Sequence, residues 1–175
     1  MAKQAGIAVL ALVVFVGFFL YARRWREFAP PGDGYAVSAP GAFAPLEVSF
    51  EGWTGHTGVA AYEAQAGSFR FVVGRVDLAG PPTDDPVLRG WYASVRGALS
   101  REAHTGDPTA APLAATPGLE VRGRMDGDRA QIVRVAYLAQ PRPRILFAVV
   151  EAAESLVNNG HADRFFASFQ IAAGP

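Results

Sequence analysis

The 175 residues carry sixteen basic and sixteen acidic side chains, three histidines and no cysteine. The missing cysteines exclude disulfides, thiol nucleophiles, thiolate metal sites and lipoprotein acylation. Setting aside Lys3, Arg23, Arg24, Arg26 and Glu27 leaves twelve arginines against fifteen acids in residues 28–175, which argues against a nucleic-acid partner, because phosphate binding draws on surplus positive charge.

Ala5 to Ala22 reads AGIAVLALVVFVGFFLYA, without a charge, hydroxyl or amide other than the Tyr21 phenol. As a helix it would be about 27 Å long, close to the hydrocarbon thickness of a bilayer. It has no polar face, so a soluble core helix is a poor reading. The residues that follow, Leu20-Tyr21-Ala22-Arg23-Arg24-Trp25, make a poor signal-cleavage site. The expectation is a retained single transmembrane span, with Ala5, Leu10, Phe15, Phe18 and Leu20 in lipid and Tyr21 and Trp25 at the interface. Arg23, Arg24 and Arg26 favour the cytoplasm for the flank that follows the span, so the expected setting is a bacterial inner membrane with the large domain inside, a periplasmic domain being the alternative.

Residues 1–27 are therefore assigned to the anchor and its flanks, and 28–34 (FAPPGDG) to a short linker stiffened by proline. The soluble domain is expected over 35–175. Tyr35–Phe43 reads as a short strand broken at Pro40-Gly41. Leu46–Gly52 alternates apolar and polar residues, the pattern of a half-buried strand. A glycine-rich turn leads into Val59–Ala64, and Ser68–Leu78 is expected to pair back antiparallel.

Helical spacing follows Gly80-Pro81-Pro82. Asp84 or Asp85 can cap a helix with Pro86 at its first position. Leu88, Trp91, Tyr92, Val95, Ala98 and Leu99 form one apolar stripe, with Arg89, Arg96 and Arg101 on the outer side. Leu119–Met125 and Ala130–Gln140 are expected strands joined by an Asp126-Gly127-Asp128 hairpin. Ile145–Val150 is a further buried strand, and Asn158-Asn159-Gly160 opens a short helix that buries Phe165 and Phe166. The fold class is α+β: an N-terminal transmembrane helix, then a mostly antiparallel sheet sandwiched with one long helix and a short C-terminal helix.

The order of these elements, with Y-x-V-x-x-P-G-x-F at Tyr35–Phe43, P-G-L-E-V-R-G at Pro117–Gly123 and D-R-F-F-A-S-F at Asp163–Phe169, resembles the PsbP-like domain family. The resemblance spans residues 35 to 172. It implies a non-enzymatic domain that docks onto larger assemblies, photosynthetic or other electron-transfer complexes among them. The family's photosystem II member is a soluble lumenal protein, whereas this domain carries an anchor.

No catalytic constellation stands out. His56, His104 and His161 lack a second ligand at zinc spacing, and Gly52, Gly55 and Gly58 lack the Lys-Ser/Thr of a phosphate loop. Asp126 and Asp128 are explained by the hairpin, and no G-x-S-x-G elbow occurs. No enzyme activity, cofactor or metal is expected. One surface feature remains: Arg122, Arg124, Arg129, Arg134, Arg142 and Arg144 fall within 23 residues and form a candidate docking patch for anionic headgroups or an acidic partner. The leading expectation is a membrane-anchored accessory subunit that partners with lipids and with subunits of an integral membrane complex. The alternative is a tethered module that holds a lipid or small ligand between the sheet and the long helix, which requires an apolar pocket near Trp91 and Tyr92.

Overall fold

The computed structural model describes residues 24–50, 55–99 and 104–171. Two antiparallel sheets and three helices make up this part, the α+β architecture expected. The large sheet runs in the order β3 (Ala44–Pro45), β4 (His56–Ala66), β5 (Phe69–Leu78), β10 (Arg144–Ala153), β9 (Arg129–Leu138), β8 (Gly118–Met125), β6 (His104–Thr105), with β7 (Thr109–Ala110) also on β8. The small sheet has the order β1 (Trp25–Phe28), β2 (Tyr35–Pro40), β11 (Gln170–Ile171). Helix α1 is Asp85–Leu99, α2 is Glu154–Val157 and α3 is Gly160–Ala167.

β10 sits at the centre of the large sheet, with apolar residues on both faces from Ile145 to Val150, and Arg144 to Ala152 is buried without a break. Period-two alternation divides its side chains between two cores. Ile145, Phe147 and Val149 join Val72, Val76, Val133 and Val135 under α1. Leu146, Ala148, Val150 and Ala152 join Phe71, Val37, Phe165 and Phe169 beneath the small sheet and α3. The molecule is thus a large sheet with α1 on one face and the small sheet with α2 and α3 on the other.

Local chemistry fixes the element ends. The Asp84 carboxylate accepts from the Val87 N–H at 2.9 Å, capping α1. The Asn159 side chain accepts from the His161 N–H at 2.9 Å, opening α3. The β8–β9 hairpin turns through Gly127 and Asp128, both at positive φ (71° and 58°), which glycine and aspartate tolerate best. Gly74 has no room for a side chain: a Cβ there would lie 2.3 Å from the Ala60 carbonyl oxygen and 2.5 Å from the Phe147 ring.

Three expectations are corrected. Residues 28–34 are no extended linker: Phe28 ends β1 and Asp33 is buried, its carboxylate 2.8 Å from Arg75. Trp25, assigned to a bilayer interface, packs in the domain against Phe71, with the Arg164 guanidinium 4.4 Å from its ring centroid and His161 stacked beside it. β1 pairs with β2 from Trp25↔Pro40 to Phe28↔Val37, so the folded domain starts at least ten residues before Tyr35. Leu46–Phe50 keeps its alternation, with Leu46, Val48 and Phe50 facing the α1 core, but joins no ladder. Its described backbone link to β4 is Leu46 N–H to the Ala61 carbonyl (2.9 Å). The expected span, including Ala5, Leu10, Phe15, Phe18, Leu20 and Tyr21, lies outside the described residues, among which no helix is long and apolar enough to cross a membrane.

Candidate functional site

The six arginines of the expected patch do not share one surface. Arg122, Arg124 and Arg134 lie together on the β8–β9 face that looks away from α1, because Arg122 stands opposite Ile132, Arg124 opposite Ala130 and Arg134 opposite Glu120. Arg129 is on the other face, 3.8 Å from Glu151. Arg142 is exposed in the β9–β10 turn. Arg144 is buried, and its guanidinium donates to the Asp33 carbonyl at 2.6 Å. The 29–34 loop has folded over it, and burial beside Arg75 lowers its pKa.

The three that do meet are engaged internally. Glu120, with an 8 % exposed side chain, accepts from Nε of Arg122 and Nε of Arg134, each at 2.7 Å. Burial raises its pKa, but hydrogen bonds from Arg134 and Arg122 outweigh burial and hold the carboxyl below the usual range. Arg134 also lies 4.2 Å over the Phe166 ring, and Arg124 forms a two-pronged pair with Glu154 at 3.0 and 2.6 Å.

The opposite face of the same strands carries a different feature. Between α1 and β8–β9 runs an open groove of about 400 Å³. Leu119 and Val121 of β8 and Val133 and Val135 of β9 form its floor, placed there by the alternation that turns Arg122, Arg124 and Arg134 the other way. Tyr92 and Ala93 of α1 form one wall, and Pro108 closes the far side. Arg89 and Arg96 stand on the rim, one helical turn before and after that wall. Burial raises the Tyr92 pKa, so its ring contributes as a neutral, mostly apolar surface. Its volume lies in the lower part of the range found for small-molecule sites, roughly 300–1,000 Å³.

A second, smaller cavity of about 190 Å³ sits at the other end of α1, against Leu46, Val72 and Leu99. Its polar wall is a hydrogen-bonded network in which the buried Gln131 Oε1 has no partner among the described residues. Glu151 accepts from Arg70 and Gln131, each at 3.0 Å, Arg70 also donates to Glu63 at 2.8 Å, and Gln131 donates to the Leu99 carbonyl at 3.0 Å. This network ties the end of α1 to the sheet.

Of the two aromatics beside which the ligand-holding alternative requires a pocket, Tyr92 lines the groove and Trp91 packs against the core. Sequence reasoning missed the floor. Leu119, Val121, Val133 and Val135 read as core positions, and Val121, Val133 and Val135 are indeed buried; nothing in their spacing says that a groove opens above them. Among the described residues, no three histidine, aspartate or glutamate side chains converge as a metal site.

No protein-family model matches the chain. No curated protein sequence matches it either. Among solved structures, the fold is similar to LpqN of Mycobacterium tuberculosis, a protein involved in cell envelope biogenesis, with a TM-score of 0.52 and 15 % identity over 86 % of this chain and 91 % of LpqN. The Ran-binding protein Mog1p of Saccharomyces cerevisiae aligns with a TM-score of 0.44 and 11 % identity over 85 % of this chain and 96 % of Mog1p. At such identities the LpqN likeness is one of fold.

Proposed function

We propose that this chain is a membrane-tethered, non-catalytic module that holds the apolar part of a lipid or small ligand between α1 and β8–β9. The observation that carries the reading is the groove itself: four aliphatic side chains and one tyrosine line an open space of about 400 Å³ that the fold leaves unfilled. Residues 5–22 supply the tether, at a bacterial inner membrane with the domain on the cytoplasmic side by flanking charge. The PsbP-like resemblance and the LpqN fold fit a domain that works by binding, and the envelope role of LpqN fits a membrane setting. An accessory subunit braced against a membrane complex is the second reading, and the exposed Arg122 and Arg124 favour it. It has less support, because Glu120 and Glu154 already engage both guanidiniums.

The test uses the full chain in phosphatidylcholine nanodiscs with a single-chain lipid that carries a diazirine near its tail. Illumination is expected to label peptides containing Tyr92, Leu119, Val121 or Val133. Ala93→Trp places a large ring on an exposed wall position and is expected to abolish that labelling, while labelling of residues 5–22 continues. Equal groove labelling in the variant, or none in the parent, overturns the proposal.

A further inference from the structure

Between Val87 and Leu99 the only charged side chains of α1 are Arg89 and Arg96. They are seven residues apart, hence nearly eclipsed on the helix and about 10 Å apart along its axis. Both border the groove, and between them the rim is Tyr92 and Ala93. Neither has an acidic partner among the described residues. That sets them apart from Arg70, Arg75, Arg122, Arg124 and Arg134, each of which is matched to a carboxylate. Residues 28–175 carry an acidic excess, so a cationic rim on the groove is a local arrangement and not the drift of the composition.

From this we infer that the groove, read as above, selects a single-chain amphiphile with an anionic head, a carboxylate or a phosphate monoester. The chain lies on Leu119, Val121, Val133 and Val135, and the head is held at the rim by Arg89 or Arg96. Three features carry it. The floor is aliphatic and offers no polar partner to a head group, so the head must stay at the mouth. The mouth holds two guanidiniums, which suit the paired oxygens of carboxylate and phosphate. The volume of about 400 Å³ suits part of one chain better than the two chains of a bilayer lipid. A neutral head would leave both arginines with water, and a cationic head would be repelled. The inference rests on the groove being a ligand site.

The experiment compares three diazirine probes with the same alkyl chain and a carboxylate, a neutral hydroxyl or a trimethylammonium head, using the full chain in phosphatidylcholine nanodiscs. Groove labelling is expected to be about tenfold higher with the carboxylate probe than with the hydroxyl probe at low salt. The preference should shrink in 0.5 M salt, because half-exposed charges are screened. Arg89→Gln with Arg96→Gln keeps good helix formers at both positions and is expected to bring carboxylate labelling down to the hydroxyl level. Inorganic phosphate at millimolar concentration is expected to leave carboxylate labelling intact. Equal labelling by the carboxylate and hydroxyl probes overturns the anionic preference while leaving the groove as a site. Displacement by phosphate alone also overturns it, since the arginines would then hold a free anion. No groove labelling by any probe removes the site and the preference together.

Discussion

Glu120 offers a quantitative check on why the Arg122–Arg134 face is held together. Its carboxylate has a largely buried partner in Arg134 and a half-exposed one in Arg122, with side-chain exposures of 22 % and 56 %. The buried contact is a charge-assisted hydrogen bond, which contributes about 1.5–3 kcal/mol. Arg122 is solvent-screened and contributes about 0.5 kcal/mol. Glu120→Gln keeps the shape, removes the charge and turns an amide N–H2 toward one guanidinium, so a loss of about 2 kcal/mol is expected at pH 7. The sign of the pH dependence follows from the lowered pKa. The unfolded chain takes up the proton near 4.5 and the folded chain only below that. The stabilisation is therefore complete above 4.5 and fades as the pH falls through the folded value.

Urea unfolding of the full chain in micelles, read by tryptophan fluorescence at pH 7, 5, 4 and 3, measures both quantities. All other carboxylates are common to parent and variant, so the difference between the two curves isolates Glu120. That difference should be about 2 kcal/mol at pH 7 and should narrow steadily below pH 4.5. A gap that stays constant to pH 3, or no gap at pH 7, would refute the account of the Glu120 pair.

Three further substitutions test the frame. Gly74→Ala drives a methyl against the Ala60 carbonyl and the Phe147 ring, and since backbone cannot step aside the cost should reach about 3 kcal/mol or more. Gly80→Ala, where a Cβ meets nothing within 4 Å, should leave the urea midpoint unchanged, and equal effects of the two would contradict the β4–β5 register. Trp25→Ala removes the ring that contacts Phe71 and Arg164 and should cost about 2 kcal/mol of domain stability, less than a fully buried tryptophan. An unchanged midpoint would return Trp25 to the membrane interface.

Most of the domain was legible because its elements have strong periods and clear punctuation. The α1 stripe from Leu88 to Leu99, the Asp126-Gly127-Asp128 hairpin and the helix start at Asn158-Asn159-Gly160 each follow from one local rule, and the structure has all three. The misses are places where two structures share one pattern. Leu46–Phe50 alternates because one side faces the α1 core, and alternation reports that side without reporting whether the backbone is paired. Trp25-Arg26-Glu27-Phe28 mixes aromatics with charges, which serves an interfacial flank and an edge strand equally well. Arg144 carries the composition of a surface residue; only a long-range contact with Asp33, 111 positions away, takes it inside.

The groove has the same origin, since it belongs to no segment alone. Five long strands, β4, β5, β10, β9 and β8, lie side by side at about 4.8 Å spacing, while a helix is about 10 Å across. One helix cannot cover the apolar face of such a sheet. On the β4–β5 flank the shortfall is made up by Leu46, Val48 and Phe50, which pack onto the α1 core from an unpaired segment. On the β8–β9 flank the groove remains above Leu119, Val121, Val133 and Val135, bordered by Tyr92, Ala93 and Pro108, although Val121, Val133 and Val135 are themselves largely shielded from solvent. Filling those positions would have needed only a second short apolar run after α1, where the described chain has instead the polar stretch His104-Thr105-Gly106-Asp107. The open flank is therefore built into the order of the elements, and it lies against the helix face that carries Arg89 and Arg96.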